Sequence, residues 1–438
     1  MIVFSTILFA TTSITAVVST FRIIRVTHNN SLFALHGFTM VGILSLGIAL
    51  FGIVGESQFT EFRLEVFSRM EIGFSIVSAT VALFSVLNYR RPSTQEPPAI
   101  HKNRYLGLTA PLLLLLCALA LAQTANKQMA EIAAIQGDYE AYYAARVVGI
   151  TGRETEDFDY LRYFFENSII PLLSLLLLNL WIRTRRKRYL VEWLISVFLL
   201  GFMALLTLQK APIFVLVLSN LYLFASTYKI TARRHFLKYT SFFLLLLGFV
   251  YGLYSFLGFE KNVLFEVVSR IVLLPVDAIY SHFFVFPDIH PFTYYGTSYL
   301  ANIFLAFSHD VSYLSDIVIP YQIAAYYSTG ALFNLNVSIT GAGWGEYGYM
   351  GIFQSSVLVF GTLAVWDRLL RKKFADIDLS PMIAFFFGTL ITFLNVNMQV
   401  LLFMHSLVLT PAVFLFIALG KRTATRAMSW IFRARTLK

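Results

Sequence analysis

Residues 31–54 read SLFALHGFTMVGILSLGIALFGIV and contain no Asp, Glu, Lys or Arg. A helix of about 20 apolar residues spans the hydrocarbon core of a bilayer, so this stretch predicts a transmembrane helix. Similar stretches recur on both sides of it, at residues 2–21, 72–89, 105–125, 167–182, 189–207, 212–228, 239–258, 348–366, 381–398 and 401–420. The sequence therefore predicts an all-α, polytopic integral membrane protein with about eleven transmembrane helices.

The composition excludes several classes of protein. The chain is 58% hydrophobic and only 13% charged, whereas soluble domains are nearer one half and one quarter. The single cysteine, Cys117, excludes an intrachain disulfide and a Cys-ligated metal site. The sequence has no phosphate-binding glycine loop and no HExxH. We therefore predict neither a nucleotide-driven machine nor a metal site, and no cofactor.

The basic residues are gathered in short clusters between alternate spans. The clusters are Arg22 and Arg25; Arg90, Arg91, Lys102 and Arg104; Arg183, Arg185, Arg186, Lys187 and Arg188; Lys229, Arg233, Arg234 and Lys238; Arg368, Arg371, Lys372 and Lys373; and the segment 421–438. They hold 25 of the 34 Lys and Arg residues, and the positive-inside rule places all of them in the cytoplasm. The N-terminus is then predicted outside and the C-terminus in the cytoplasm. The net charge of +10 follows from this topology and does not indicate a nucleic-acid partner.

Two further segments, residues 262–286 and 317–335, are apolar enough to enter the membrane. One extra span would move the last basic loop outside, so either neither or both of these segments span. We favour eleven helices over thirteen, with 262–286 as an interfacial or re-entrant helix. The prediction is a single transmembrane domain, 1–438, with outer loops at 126–166 and 259–347.

Cations on the outer side are few: Arg63, Arg69, Lys127, Arg146, Arg153, Arg162, Lys210, Lys261 and Arg270. Lys210 lies between two apolar runs with almost no loop, where it either snorkels to the headgroups or faces a polar cavity. Arg270 precedes Pro275, which breaks or kinks a helix, and Asp277 follows two residues later. Arg270 could pair with Glu266 at i, i+4 spacing or provide a fork for a phosphate.

Residues 340–351 read TGAGWGEYGYMG and lead directly into a predicted span. Glycines let backbone N–H groups approach a ligand closely, and Trp344 and Tyr347 could stack on a sugar ring. Glu346 could act as a general base or hold a hydroxyl group. The alternative is an interfacial turn with aromatic anchors.

Three stretches together resemble the bacterial oligosaccharide repeat-unit polymerases of the Wzy type, the O-antigen polymerase family. The first is an R-I-x-x-x-P-x-x-x-x-Y-x-x-F pattern, and the second is a G-E-x-G-x-x-G-like run before a membrane helix. The third is a short hairpin that holds a cation, here Lys210, although Gln209 stands where many relatives have Gly. The residues that match the first two patterns are Arg270, Ile271, Pro275, Tyr280, Phe283, Gly345, Glu346, Gly348 and Gly351.

The resemblance implies a GT-C-like membrane glycosyltransferase of the bacterial inner membrane that works without a metal at the periplasmic face. Its donor would be a glycan on undecaprenyl pyrophosphate, and a chain-length regulator is a candidate partner. Glu346, Arg270 and His282 would be catalytic, with Arg270 and Lys210 facing the pyrophosphate. The further substrate contacts implied are Tyr280, Asp277, Arg146, Arg153, Arg162, Trp344 and Tyr347.

Competing functions remain open at this point. An O-antigen ligase, or another lipid-linked glycosyltransferase, would use the same donor with a different acceptor. A glycolipid flippase or solute transporter is the alternative from another class, but such proteins tend to show internal repeats and charged helices at the midplane, and the sequence shows neither. A structural or sensory membrane protein would leave the glycine-rich stretch without a purpose.

Overall fold

The computed structural model describes residues 2–26, 31–57, 60–88, 168–206, 211–227, 272–293, 338–373 and 379–389, with short pieces at 111, 114–115, 118–119, 317–318, 407–408 and 410–414. Secondary structure in these ranges is entirely helical. The helices are α1 (Ile2–Val26), α2 (Leu32–Val54), α3 (Leu64–Asn88), α4 (Ile170–Thr184), α5 (Lys187–Leu206), α6 (Ala211–Thr227), α7 (Leu274–Val285), α8 (Ile339–Lys373) and α9 (Ser380–Gly388).

Four of these helices, α1, α2, α3 and α8, are long and apolar enough to cross a membrane. The predicted all-α membrane protein is confirmed at this level. The predicted spans at 105–125, 239–258 and 401–420 lie wholly or mostly outside the described residues.

One predicted boundary was wrong. α3 begins at Leu64 rather than at residue 72, because the charges that ended the hydropathy signal are tolerated within its first two turns. Arg69 pairs with Asp288, and Glu71 lies within hydrogen-bond distance of two hydroxyl groups. α8 begins at Ile339 but breaks at Tyr347 and Gly348, so its second segment starts near the predicted residue 348 and the glycine-rich stretch before it is helical.

The chain divides into two compact units. Unit 1 comprises Met1–Pro92, Phe224–Val365 and Leu390–Leu401, and unit 2 comprises Ser93–Leu223, Trp366–Thr389 and Leu402–Lys438. The prediction of a single transmembrane domain stays a prediction.

In unit 1, α1 and α3 run parallel and meet through serine hydroxyls, one carboxyl group and one aromatic pair. Facing pairs, from one end to the other, are Ser5 with Glu71, Phe9 with Phe74 and Ser13 with Ser78. Small residues let membrane helices approach closely. The opposite face of α1 exposes large apolar side chains suited to lipid: Val3, Phe4, Ile7, Ile14, Val18 and Phe21.

The part of α8 that contains Ile352 and Gly361 also runs parallel to α3. Ile352 lies against Gly73 and, further along both helices, Gly361 lies against Phe84. α2 runs the other way, and its Phe33 meets both Phe84 and Phe360.

In unit 2, the described core cluster around α4 and α5 consists mainly of leucine. α4 and α5 enclose a cluster of Leu114, Leu173, Leu177, Leu180 and Tyr189. The turn between these helices places Arg185 in the left-handed region, at φ 55°, and its N–H caps the Trp181 carbonyl at 2.8 Å. α6 and α9 meet where Tyr222 stacks on Phe387, with ring centroids 4.6 Å apart.

Candidate functional site

α7 carries three of the six predicted site residues in the described part of the chain: Asp277, Tyr280 and His282. Pro275 lies in its first turn, where the missing N–H has no intrahelical acceptor to lose. The helix has 12 residues, about 18 Å, which is too short to cross a bilayer. It packs against α2 and α3 of unit 1.

The loop between α2 and α3 holds α7 by polar contacts. Asp277 is buried and accepts a hydrogen bond from Ser57 Oγ at 2.5 Å. The Tyr280 hydroxyl donates to the Glu61 carbonyl at 3.0 Å and accepts from the Arg63 N–H at 2.5 Å. Burial of the phenol, partly offset by the Arg63 bond, raises the pKa of Tyr280 to about 12. Tyr280 is therefore a neutral anchor at physiological pH.

Two cations on this loop and on α3 already have acidic partners. Arg63 pairs with Glu61 at 2.8 Å and lies 5.0 Å from the centre of the Phe284 ring. Arg69 pairs with Asp288 at 2.8 Å. These guanidinium groups tie α7 and its following turn to α3 and its loop, so we assign them to structure rather than to substrate.

Two glycines permit the close approach of α7. A Cβ on Gly47 of α2 would collide with the Val272 carbonyl oxygen and would lie 2.8 Å from Val276 Cγ2. A Cβ on Gly73 of α3 would lie 2.7 Å from the Phe283 ring. The two ends of α7 therefore pack so closely on α2 and α3 that only glycine fits at positions 47 and 73.

α8 consists of two helical segments joined by a sharp break at Tyr347 and Gly348. Gly348 has φ 61° and ψ −141°, a combination that is essentially limited to glycine. Gly343 and Gly351 lie backbone to backbone across the break, with no room for a side chain at either position. The Gly345 carbonyl, at the end of the first segment, accepts a hydrogen bond from the Thr293 N–H at 3.1 Å.

Trp344 joins the first segment of α8 to α7. Its Nε1–H donates to the Phe286 carbonyl at 2.8 Å, and its ring stacks on Phe283 with centroids 4.3 Å apart. Phe292 and Tyr349 cover its edges, and only 4% of the residue is exposed. The indole is therefore enclosed by protein in this arrangement, and its stacking on a sugar stays a prediction.

His282 is a buried histidine on α7. Its Nδ1 lies 2.9 Å from the Ala278 carbonyl, so Nδ1 is assigned the hydrogen and Nε2 an unshared electron pair. Burial, partly offset by this hydrogen bond, lowers the pKa of His282 to about 4. Nε2 is buried, and no residue in the described ranges bonds it. The imidazole is thus neutral near pH 7 and offers an acceptor to a hydroxyl group.

Glu346 is the last residue of the first α8 segment and is buried at the break. Tyr347 lies in the break itself and is half-buried. The Glu346 carboxyl group is thus held one residue before the point where the backbone leaves helical geometry.

Six predicted site residues lie in unit 1, on α7 and on the first part of α8, and these two elements contact each other. The six residues are Asp277, Tyr280, His282, Trp344, Glu346 and Tyr347. The other five, Arg270, Lys210, Arg146, Arg153 and Arg162, lie outside the described residues, so their predicted roles stay predictions. Within the described ranges, no three His, Cys, Asp or Glu residues form a group that could hold a metal ion.

Sequence reasoning missed the part played by the α2–α3 loop. Ser57 belongs to no motif, and its bond to Asp277 joins residues 220 positions apart. The only available signal was the alternation of opposite charges at Glu61, Arg63, Glu65 and Arg69, which indicates paired rather than ligand-binding cations.

Comparisons of the chain with protein families, with curated proteins and with solved structures find no significant match.

Proposed function

We propose that the chain is a membrane polymerase that joins oligosaccharide repeat units carried on undecaprenyl pyrophosphate, at the outer face of a bacterial inner membrane. The observation that supports this most directly is the Trp344–Phe286 hydrogen bond, 2.8 Å long. It unites the two stretches that resemble the polymerase motifs, one on α7 and one at the α8 break. Tyr280 and Phe283 of the first stretch thereby belong to the same packed unit as Glu346 of the second.

The sidedness of unit 1 supports an outward-facing site. The loop that binds α7 follows α2, and its contacts with Asp277 and Tyr280 hold α7 at the end of α2 and the start of α3. In the sequence, Arg90 and Arg91 follow the opposite end of α3, and Arg368 lies near the opposite end of α8. By the positive-inside rule these ends are cytoplasmic, so α7 belongs to the outer side.

The parallel course of α3 and α8 also limits the number of spans. If both helices enter the membrane from outside, an odd number of crossings must separate residue 88 from residue 339. The five predicted spans between them satisfy this condition, as do seven if 262–286 and 317–335 both cross. This supports the prediction that either neither or both of the segments 262–286 and 317–335 cross the membrane.

In the proposed reaction, the acceptor sugar's hydroxyl oxygen bonds to the anomeric carbon of the donor glycan. The bond from that carbon to the pyrophosphate oxygen breaks, and undecaprenyl pyrophosphate leaves. The hydroxyl proton passes to the carboxylate of Glu346 as general base. His282 Nε2 can accept a hydrogen bond from an acceptor hydroxyl and orient it.

Charge on the leaving pyrophosphate requires cations. His282 cannot serve because its pKa of about 4 leaves it neutral, and Arg63 and Arg69 are paired with acids. The resemblance assigns this role to Arg270 and Lys210, as part of the same proposal. Replacing Arg270 with Ala should leave the protein inserted but abolish long polysaccharide chains, and a normal chain-length distribution would remove it from the mechanism.

The decisive experiment is the glycolipid profile of a strain that lacks the chain. Single repeat units still attached to their final lipid anchor indicate a lost polymerase. Complete loss of attachment would indicate a ligase instead, and an unchanged profile would contradict both.

Complementation of that strain tests the assigned residue. Glu346→Gln should reduce chain extension by about 100-fold, the scale of general acid–base catalysis, while donor binding is largely kept. Glu56→Gln, in an exposed loop position, is the matched control and should restore wild-type chains. Equal loss of donor binding and turnover in Glu346→Gln would point to a structural role.

A further inference from the structure

α3 carries a buried carboxyl group that the proposed function does not use. Glu71 lies about two turns from the start of the helix and is 2% exposed. An ionised side chain at membrane depth is unfavourable by roughly 2.5–3.5 kcal/mol on insertion scales. Such a residue requires either a counter-ion or a proton.

The partners of Glu71 are neutral oxygens from the first turn of α1. Ser5 Oγ lies 2.7 Å from Glu71 Oε2 and 2.8 Å from the Ile2 carbonyl oxygen. Thr6 Oγ1 lies 3.2 Å from the same Oε2 and 3.1 Å from the same carbonyl oxygen. The four oxygens form a closed ring in which every neighbouring pair is within hydrogen-bond distance.

The hydrogens available from the two hydroxyl groups do not fill this ring. Ser5 has one hydroxyl hydrogen for two short contacts, and the Ile2 carbonyl has none. If Ser5 donates to Ile2, the 2.7 Å contact with Glu71 needs a hydrogen from Glu71. If Ser5 donates to Glu71 instead, two bare oxygens face each other at 2.8 Å. Each Ser5 contact is a full two-centre hydrogen bond only when the carboxyl group itself carries a proton; otherwise one hydrogen is shared between two acceptors.

The surroundings offer no cation as a substitute. Residues 2–21 of α1 contain no charged side chain, and no ion pair of Glu71 occurs within the described ranges. The nearest arginine on its own helix, Arg69, is bound to Asp288 at 2.8 Å. The titratable and charged groups on the described unit 1 helices that pack with α3, and on α3 itself, are Arg22 and Arg25 on α1, His36 on α2, Glu65 and Arg69 on α3, Asp277, Tyr280 and His282 on α7, and Glu346, Tyr347 and Tyr349 on α8.

We propose that Glu71 is a proton-binding site that is occupied at neutral pH and that fastens the first turn of α1 to α3 as a neutral acid. The proton comes from the solvent. Its loss would place a negative oxygen beside the Ser5 hydroxyl oxygen and the Ile2 carbonyl oxygen, and would release this turn. Alkaline pH would then detach the start of α1 without unfolding the rest of unit 1.

Infrared difference spectroscopy on the full chain in lipid nanodiscs tests the protonation state directly. At pH 7, wild type minus Glu71→Gln should show the C=O stretch of a protonated carboxyl group, with a shift in D2O. Glu65→Gln, an exposed acid in the first turn of the same helix, should show only carboxylate bands. Carboxylate bands alone in the Glu71→Gln difference would overturn the proposal.

Two further measurements keep the test independent of the folding of one variant. Ser5→Ala removes the acceptor of the Glu71 proton, so the C=O band should shift rather than vanish. Glu71→Gln keeps a donor and an acceptor, so its melting temperature should match wild type at pH 7 and should not fall with the wild type as the pH rises. A parallel fall in both proteins would overturn the proposal. Stabilisation of the wild type by sodium at constant pH and ionic strength, if Glu71→Gln abolished it, would also overturn the proposal.

Discussion

The α1–α3 pair of unit 1 and the α4–α5 pair of unit 2 are both pairs of neighbouring helices, but different chemistry joins them. α1 and α3 meet through hydroxyl groups, a carboxyl group and one aromatic pair. α4 and α5 meet through a cluster of leucines and one tyrosine. Each pair thus associates mainly through one kind of contact.

The difference concerns how register is specified. Lipid tails are as apolar as leucine, so burying leucine between membrane helices gains little from the hydrophobic effect and depends on fitted contacts. A hydrogen bond or a glycine contact, by contrast, exists at one register only. Unit 1 uses these directional contacts, and it also holds α7 and the α8 break. We infer that the geometry of the candidate site depends on this fixed register.

The largest effect is expected from filling a glycine contact. Gly47→Val would drive a Cβ into the Val272 carbonyl and should destabilise unit 1 by about 3 kcal/mol or more. Gly42→Val, on the same helix, meets nothing within 4 Å and should be nearly neutral. Thermal unfolding in nanodiscs measures both, and equal melting temperatures would contradict the contact.

A leucine truncation tests the leucine cluster between α4 and α5 of unit 2. Leu177→Ala removes a fully buried side chain from the unit 2 cluster and should cost about 2–4 kcal/mol through lost contacts and a cavity. Leu194→Ala on α5 is the control, because that residue is 50% exposed and should lose little. If the two variants unfold alike, the cluster does not stabilise unit 2.

Acid should affect unit 1 selectively through His282. Its pKa of about 4 in the folded protein lies below the ordinary 6.5, so the unfolded chain binds the extra proton first. This contribution to stability is therefore complete above pH 6.5 and is lost progressively between pH 6.5 and 4, by an amount on the order of 3 kcal/mol. His282→Gln should reduce the slope of unfolding free energy against pH in that window, and an unchanged slope would exclude this histidine as the source.

The smallest effect is expected from a single hydroxyl pair. Ser13 and Ser78 lie 3.3 Å apart between α1 and α3, and Ser78→Ala should cost about 0.6 kcal/mol, the average for interhelical hydrogen bonds in membrane proteins. A loss as large as that of Leu177→Ala would mean that this polar contact stabilises unit 1 as strongly as a buried leucine stabilises unit 2.

Hydropathy predicted the membrane class and the approximate position of the described spans, because a run of apolar residues is a local property. It failed at the start of α3, where Arg69 and Glu71 find partners that no local pattern reveals. The site was predictable only in part for the same reason. Pro275 and Gly348 encode local backbone geometry and were found, whereas the bond of Ser57 to Asp277 and the enclosure of Trp344 depend on residues distant in sequence. The burial of His282 likewise follows from packing and not from its neighbours in the chain.

The parallel packing of α1 on α3 has a consequence for biosynthesis. α1 enters the bilayer before its partner has been translated, since α2 must be made in between. Its mean hydropathy of 1.9 is high enough to keep it there alone, with its serine and threonine hydroxyls bonded back to its own carbonyls, as Thr12 and Thr20 are. Insertion and assembly are thus separate steps for this helix, and a defect in the second should leave a chain that is fully inserted yet incompletely folded.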